Sequence, residues 1–216
     1  MPNNDVSFGR AGIQRLPEGV FGAFAQDNLS GQLVSQLLPP YAQLAAAGKV
    51  FTFDMSAGTA KAPVVAMPTT SPEWGLYNAS VTDTLILISV SVSQVSGTSG
   101  LGLAIVGAAG IGVQTAVTAD FTSAVKSATN GTSSKPEAFI DNNPTLIGGT
   151  PAWHAFAGTN GSGTASIAVG DSVVADIGGL LVAPPGGHMV GLEVVGPVGT
   201  TALYDIQAIV AMVRLD

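Results

Sequence analysis

From residue 50 onward, apolar side chains recur at every second position. This is the spacing of a β-strand, whose successive side chains point to opposite faces of a sheet. Residues 50–55 and 74–77 alternate in this way. Residues 82–95 carry the longest such run, with Ile86, Ile88, Val90 and Val92 on one face. On the other face Leu85 and Leu87 give way to Ser89, Ser91 and Ser93, so one end of this strand needs cover on both sides. Shorter runs follow at 101–106, 112–117, 139–140, 146–147, 153–156, 164–169 and 172–177. Pro63 interrupts the run 60–67 and predicts an edge strand there, because proline has no ladder donor.

The stretch 179–214 is the most apolar. Its two runs are introduced by Pro184-Pro185-Gly186-Gly187 and by Gly196-Pro197-Val198-Gly199. In the second run Tyr204, Ile206, Ala208, Val210 and Met212 fall on one face. The opposite face begins with Asp205 and Gln207 and ends with Ile209, Ala211 and Val213. A strand apolar on both faces takes its second cover from another layer or another subunit. Ile209, Ala211 and Val213 are therefore candidate assembly residues, expected to meet a neighbouring copy toward Val213.

Ahead of the strands the period changes. Leu29, Leu33 and Leu37, widened by Val34 and Leu38, predict a helix over 29–38, capped by Asn28 or Ser30 and stopped by Pro39-Pro40. Residues 41–47 predict a second short helix, with Gly48 closing it at the C′ position. Residues 1–28 keep neither period and read as an extended arm. Its Phe8, Phe21 and Phe24 need a surface to cover them, and a neighbouring subunit is the expected one. The domain division is an arm at 1–28, a helical segment at 29–48 and a β domain at 49–216. About a dozen short strands separated by regular turns, without a repeat of fixed length, predict a mainly β fold: an antiparallel β-sandwich, jelly-roll-like.

Composition narrows the function. Only 10% of the 216 residues are charged, against roughly 25% in ordinary soluble domains, and the net charge is -7. The seven Lys and Arg are scattered, whereas a phosphate-binding surface needs them clustered, so no direct nucleic-acid contact is expected. The chain has no cysteine, which removes disulfides, thiolate metal sites and thiol nucleophiles. Neither a signal peptide nor an apolar run long enough to span a bilayer is visible, so no membrane association is expected.

Candidate chemistry is thin. There are two histidines: His154, between aromatic neighbours, reads as a packed or capping imidazole, and His188, at the start of a strand after a glycine pair, is expected to face solvent or a subunit boundary. No Gly-x-Ser-x-Gly elbow and no His pair at metal-ligand spacing occurs. Asp171 and Asp176 flank a strand far in sequence from Asp205, and Asp141-Asn142-Asn143 reads as a turn, not a calcium loop. The glycines of 107–112 lack the rest of a phosphate-binding fingerprint. Asn28, Asn78, Asn130 and Asn160 begin Asn-x-Ser/Thr matches of the kind that chance supplies in a Ser/Thr-rich chain. No enzyme, no cofactor and no metal site is expected.

The succession from Leu180 to Leu203, in which a Pro-Gly turn leads into an apolar strand and then a Gly-Thr turn, resembles the last strands of jelly-roll virion proteins of tailed bacteriophages. The resemblance covers roughly 150–216 and lies in turns and strands, so it carries no site residues. It implies a capsid decoration, head-fibre or head–tail component, made in the host cytoplasm, located in the virion and docked on other virion proteins. Such a component is often a homo-oligomer, with a trimer favoured. The competing reading is a lectin-like or adhesin module using the loops at 118–136 and 158–163.

Overall fold

A computed structural model of the chain describes residues 41–54, 60–69, 71–98, 102–109, 125–127, 137–142, 144, 151–159, 172–197 and 201–215. The expected arm with Phe8, Phe21 and Phe24, the helix at 29–38 and the strands at 112–117, 146–147 and 164–169 lie outside them.

Among the described residues one helix, α1 (Ala42–Ala46), precedes ten strands. These are β1 (Val50–Asp54), β2 (Trp74–Asn78), β3 (Thr84–Ser96), β4 (Leu103–Ala109) and β5 (Val125–Ser127). They continue with β6 (Ala138–Asn142), β7 (His154–Thr159), β8 (Ser172–Ala183), β9 (His188–Val195) and β10 (Leu203–Val213). They form two antiparallel five-stranded sheets, β5-β1-β10-β3-β8 and β6-β2-β9-β4-β7. Without β5 and β6, the orders β1-β10-β3-β8 and β2-β9-β4-β7 are those of an eight-stranded jelly roll, two Greek keys folded over one core. The expected β-sandwich is the observed fold. β5 and β6 both arise in the connection between β4 and β7 and add one strand to the edge of each sheet. The polar composition of 118–136 concealed β5.

The two sheets share one core. Phe51, Phe53, Leu85, Leu87, Val90, Val92, Tyr204, Ile206, Ala208, Val210 and Met212 meet Trp74, Leu76, Leu103, Ile105, Val190, Leu192 and Val194 across it. The face expected from Tyr204 to Met212 is thus wholly internal. The core face of β3 is not the expected one. Ile88 is an extra residue: Ser89 pairs with Ile209 while Leu87 pairs with Val210. This bulge shifts the phase, so Leu85 and Leu87 point inward with Val90 and Val92, while Ile86 and Ile88 point outward. On the other flank of β3, residues 177–180 of β8 bulge opposite the same point, with Gly178 and Gly179 at positive φ (60° and 84°). β8 therefore continues as one bent strand past residue 177, where the expected strand ended.

Gly48 ends α1 as its position predicts. The amide of Lys49 donates to Leu44 O (2.8 Å) and that of Gly48 to Ala45 O (2.9 Å), the two bonds of a Schellman motif. The helix lies on the outer face of the first sheet, where Tyr41, Leu44 and Ala45 pack against Val50, Ile88 and Ala211. The compact unit that contains the sandwich accordingly begins at Tyr41, eight residues before the expected domain boundary. No helix among the described residues is long and apolar enough to cross a membrane.

One end of the sandwich is locked by Asn78, buried at the end of β2. Its Nδ2 donates to Asp83 O (2.8 Å), Ala183 O (2.9 Å) and Pro184 O (3.1 Å). Ser80 N donates to its Oδ1, and Gly187 N to its backbone O. The turn after β2 and the Pro-Pro-Gly-Gly turn after β8 are thereby one hydrogen-bonded unit. An asparagine so committed is not a glycan acceptor.

Candidate functional site

Among the described residues, the outer face of the first sheet is covered only where α1 lies on it. Beyond the area under α1, Ser89, Ser91 and Ser93 of β3 run down the middle of this face, half-buried by their neighbours. Ile209 of β10 pairs with Ser89, and Val174 of β8 pairs with Ser91 on the other side. Ile209 is 40% exposed and Val174 63%. Gln207, Asp205, Asp176 and Ser172 complete the rows. Short hydroxyl side chains between two exposed aliphatic ones leave a flat surface that another flat surface can approach closely.

The three candidate strand residues divide here. Ile209 is on the open face. Ala211 is buried in a cluster with Val50 and Ile88, against which Tyr41, Leu44 and Ala45 of the same chain pack; Val213 is half-buried and packs against the same cluster. The cover at Ala211 thus comes from within the chain. A five-residue helix that is mostly Ala and Leu gave no sign in its sequence of which strand it would cover.

Asp176 and Asp205 lie on the same open face but on opposite sides of β3 and four residues apart along it. Strand spacings put them about 16 Å apart, too far to share an ion. Among the described residues no three His, Cys, Asp or Glu side chains are grouped to hold a metal. His154 is exposed on β7, its ring centroid 6.4 Å from that of Phe156. His188 is half-buried, with Nδ1 3.0 Å from Pro185 O, as part of the locked turn.

The second sheet has its outer face covered by its own chain. Met189 and Ala108 are fully buried there, with Tyr77 and Trp153 packed against them. Trp153 Nε1 donates to Thr69 O (3.1 Å), holding the segment after β6 against the connection between β1 and β2. The fit is close: a Cβ on Gly75 would overlap Met189 Sδ and Pro144 Cγ. The run 60–67, expected as an edge strand, is a strap. It makes single bridges, Lys61 to Tyr204 and Val64 to Val195, and so touches both sheets in passing. Pro63, which lacks a donor between those two bridges, prevents a continuous ladder.

Under this strap sits the most unusual group of the domain, Glu193 of β9, 1% exposed. Its Oε2 accepts from Glu73 N and its Oε1 from Val194 N, both at 2.8 Å. Burial pushes the carboxyl up to about 7. The two amide donors oppose that rise, the Glu73 carboxylate adds to it and Lys61 subtracts from it. Lys61 Nζ is 3.4 Å from Glu73 Oε2, an ion pair outside hydrogen-bond geometry. The sequence reading passed over this cluster, although an acid in the middle of the apolar run 188–195 is a visible anomaly. Both oxygens of this buried carboxyl are occupied by backbone amides, those of Glu73 and Val194.

No family model matches the chain, and no curated protein or solved structure matches it either.

Proposed function

We propose that this chain is a non-enzymatic structural protein of a virus particle. In this reading it is a decoration, head-fibre or vertex component of a tailed-phage type, assembling with its own copies and docking on other virion proteins. The observation that carries the reading is the open face of the first sheet. One outer face of the jelly roll is closed by the chain's own strap and loops, while the other offers Ile209 and Val174 across a ladder of serines. Jelly rolls recur in capsid proteins, but they recur in lectins too, so the fold alone does not choose between them. A flat hydroxyl-lined sheet bordered by exposed aliphatic side chains fits a protein surface better than a sugar, whose recognition relies on aromatic stacking. The favoured assembly is a trimer, in which the open face of one copy meets a different surface of the next and the ring closes.

Native mass spectrometry of the full chain tests the assembly. The wild type is expected at three chain masses, and Ile209→Asp at one, with the melting temperature of the dilute protein unchanged. A wild type that stays at one chain mass at high concentration and does not co-sediment with particles lacking it would overturn the reading.

A further inference from the structure

Apart from Val174, Leu180 and Ile209, the large apolar side chains exposed among the described residues fall in two places. Val65, Met67 and Leu203 lie around the strap, and Val81 and Leu215 lie at the opposite end of the sandwich. Val81 is 84% exposed and Leu215 65%. Val81 stands at the tip of a turn tied on both sides. Thr82 N and Asp83 N donate to Ser80 Oγ (3.3 and 3.0 Å), and Gly186 N donates to Ser80 O (2.7 Å). With the bonds of Asn78 added, the turn has little freedom to fold its valine away from water. A side chain presented in this way loses little entropy on contact. Leu215 follows β10, whose Val213 pairs with Thr84, and so comes down beside the same turn.

Charge separates this end from the strap. Lys61, the cation of the strap, stands 3.4 Å from Glu73 Oε2. At the locked end Lys49 and Arg214 are both exposed. Met212 N donates to Lys49 O (2.9 Å), which sets Lys49 next to the end of β10. The acid near them is Asp83, mostly buried, with Oδ2 4.0 Å from Lys49 Nζ. Glu137, the other described acid at this end, precedes β6 at the edge of the second sheet. The open face has the opposite sign. Asp176 and Asp205 stand on it, and β5, which carries Lys126, is at the sheet's far edge from β8. α1 lies between the locked end and the open face, so the two are separate surfaces of one chain, as a head-to-tail contact requires.

We propose that the surface meeting the open face is the locked end of a second copy of this chain. Val81 and Leu215 seat on Val174 and Ile209 across the serines, and Lys49 and Arg214 stand over Asp176 and Asp205. This rests on the reading of the open face as an assembly surface and names what that reading leaves unnamed, the other half of the contact.

The chain has no cysteine, so introduced thiols are unique. On one chain Val81 and Val174 are separated by the run of β3 from Thr84 to Ser91, about 20 Å, too far for a short bismaleimide to bridge. The full chain carrying both Val81→Cys and Val174→Cys is expected to give denatured bands at two and three chain masses after treatment with that reagent. Each single-cysteine chain is expected to stay at one. Asp176→Lys and Lys49→Glu are each expected to weaken assembly about tenfold, and the two together to recover most of that loss. If the wild type keeps three chain masses by native mass spectrometry while the double-cysteine chain stays at one, the locked end is not the partner and the assembly reading stands. Dimer bands from either single-cysteine chain, or a combined charge reversal no better than its parts, would equally overturn the proposal. A wild type at one chain mass sinks the assembly reading, and this contact with it.

Discussion

On the outer face of the second sheet, Met189, Ala108 and Glu193 are sealed under a strap and loops of their own chain. On the outer face of the first sheet, Ser89, Ser91, Ser93, Ile209 and Val174 are left open once α1 has covered one end. Both faces come from strands with the same two-residue period. What separates them is side-chain size and the connections that cross them. The closed face has glycine at Gly75, where a Cβ would overlap Met189 Sδ and Pro144 Cγ, and the small Ala108 buried beside Met189. The open face uses hydroxyls, which tolerate either water or a partner. A jelly roll thus spends its long connections on one side and leaves the other side free for contact.

The comparison can be broken first from the closed side. Met189→Ala removes a fully buried side chain under the strap and is expected to cost about 3 kcal/mol, measured by urea unfolding at pH 6. Little loss would mean that the cover over this face collapses or is loose. Next comes the buried acid. The Glu193 carboxyl is raised in the folded chain from 4.5 to about 7, so the stability that goes with its neutral form is fully present below about pH 4.5. That stability is lost as pH rises through about 7. Glu193→Gln keeps only one of the two acceptors and is therefore expected to lie about 1 kcal/mol below the wild type near pH 4.5, and to gain about 3 kcal/mol on it between pH 4.5 and 8.5, on the order of a two-and-a-half-unit shift. Equal unfolding free energies at pH 8.5 would show that the ionised carboxylate is solvated where it stands. The smallest effect belongs to the open side: Ser91→Ala is expected to change stability by less than about 0.5 kcal/mol. A loss well above that would show that the serine ladder is structural in the single chain.

Much of this was legible beforehand. The inward row of β10, the glycine stop of α1 and the turns around β9 follow from spacing and turn chemistry alone. The phase of β3 was not. Residues 85–88 are all apolar, so alternation cannot say which of them the bulge leaves over, and only pairing with Ile209 and Val210 decides it. The cover of Ala211 by α1 was hidden for a related reason, since packing partners distant in sequence leave no period. Glu193 left a signal, but its neighbours Glu73 and Lys61 come from a stretch that reads as an ordinary proline-broken strand. The proposed assembly site was half visible: Ile209 stood out as an outward aliphatic residue, whereas Val174 fell in the short run 172–177, whose alternation does not say which face is outward.

β10 also has a consequence in time. It lies in the middle of the first sheet, between β1 and β3, yet among the described strands it comes last along the chain. β1 and β3 have no direct ladder to each other, so the first sheet has no centre until synthesis has passed Val213. During translation the nascent chain carries two apolar edges facing an empty slot, a state open to pairing with another nascent chain. A polysome making many copies side by side would put those slots within reach of one another. Insertion of β10 between β1 and β3 is then the step at which a closed sheet parts from a strand-exchanged one.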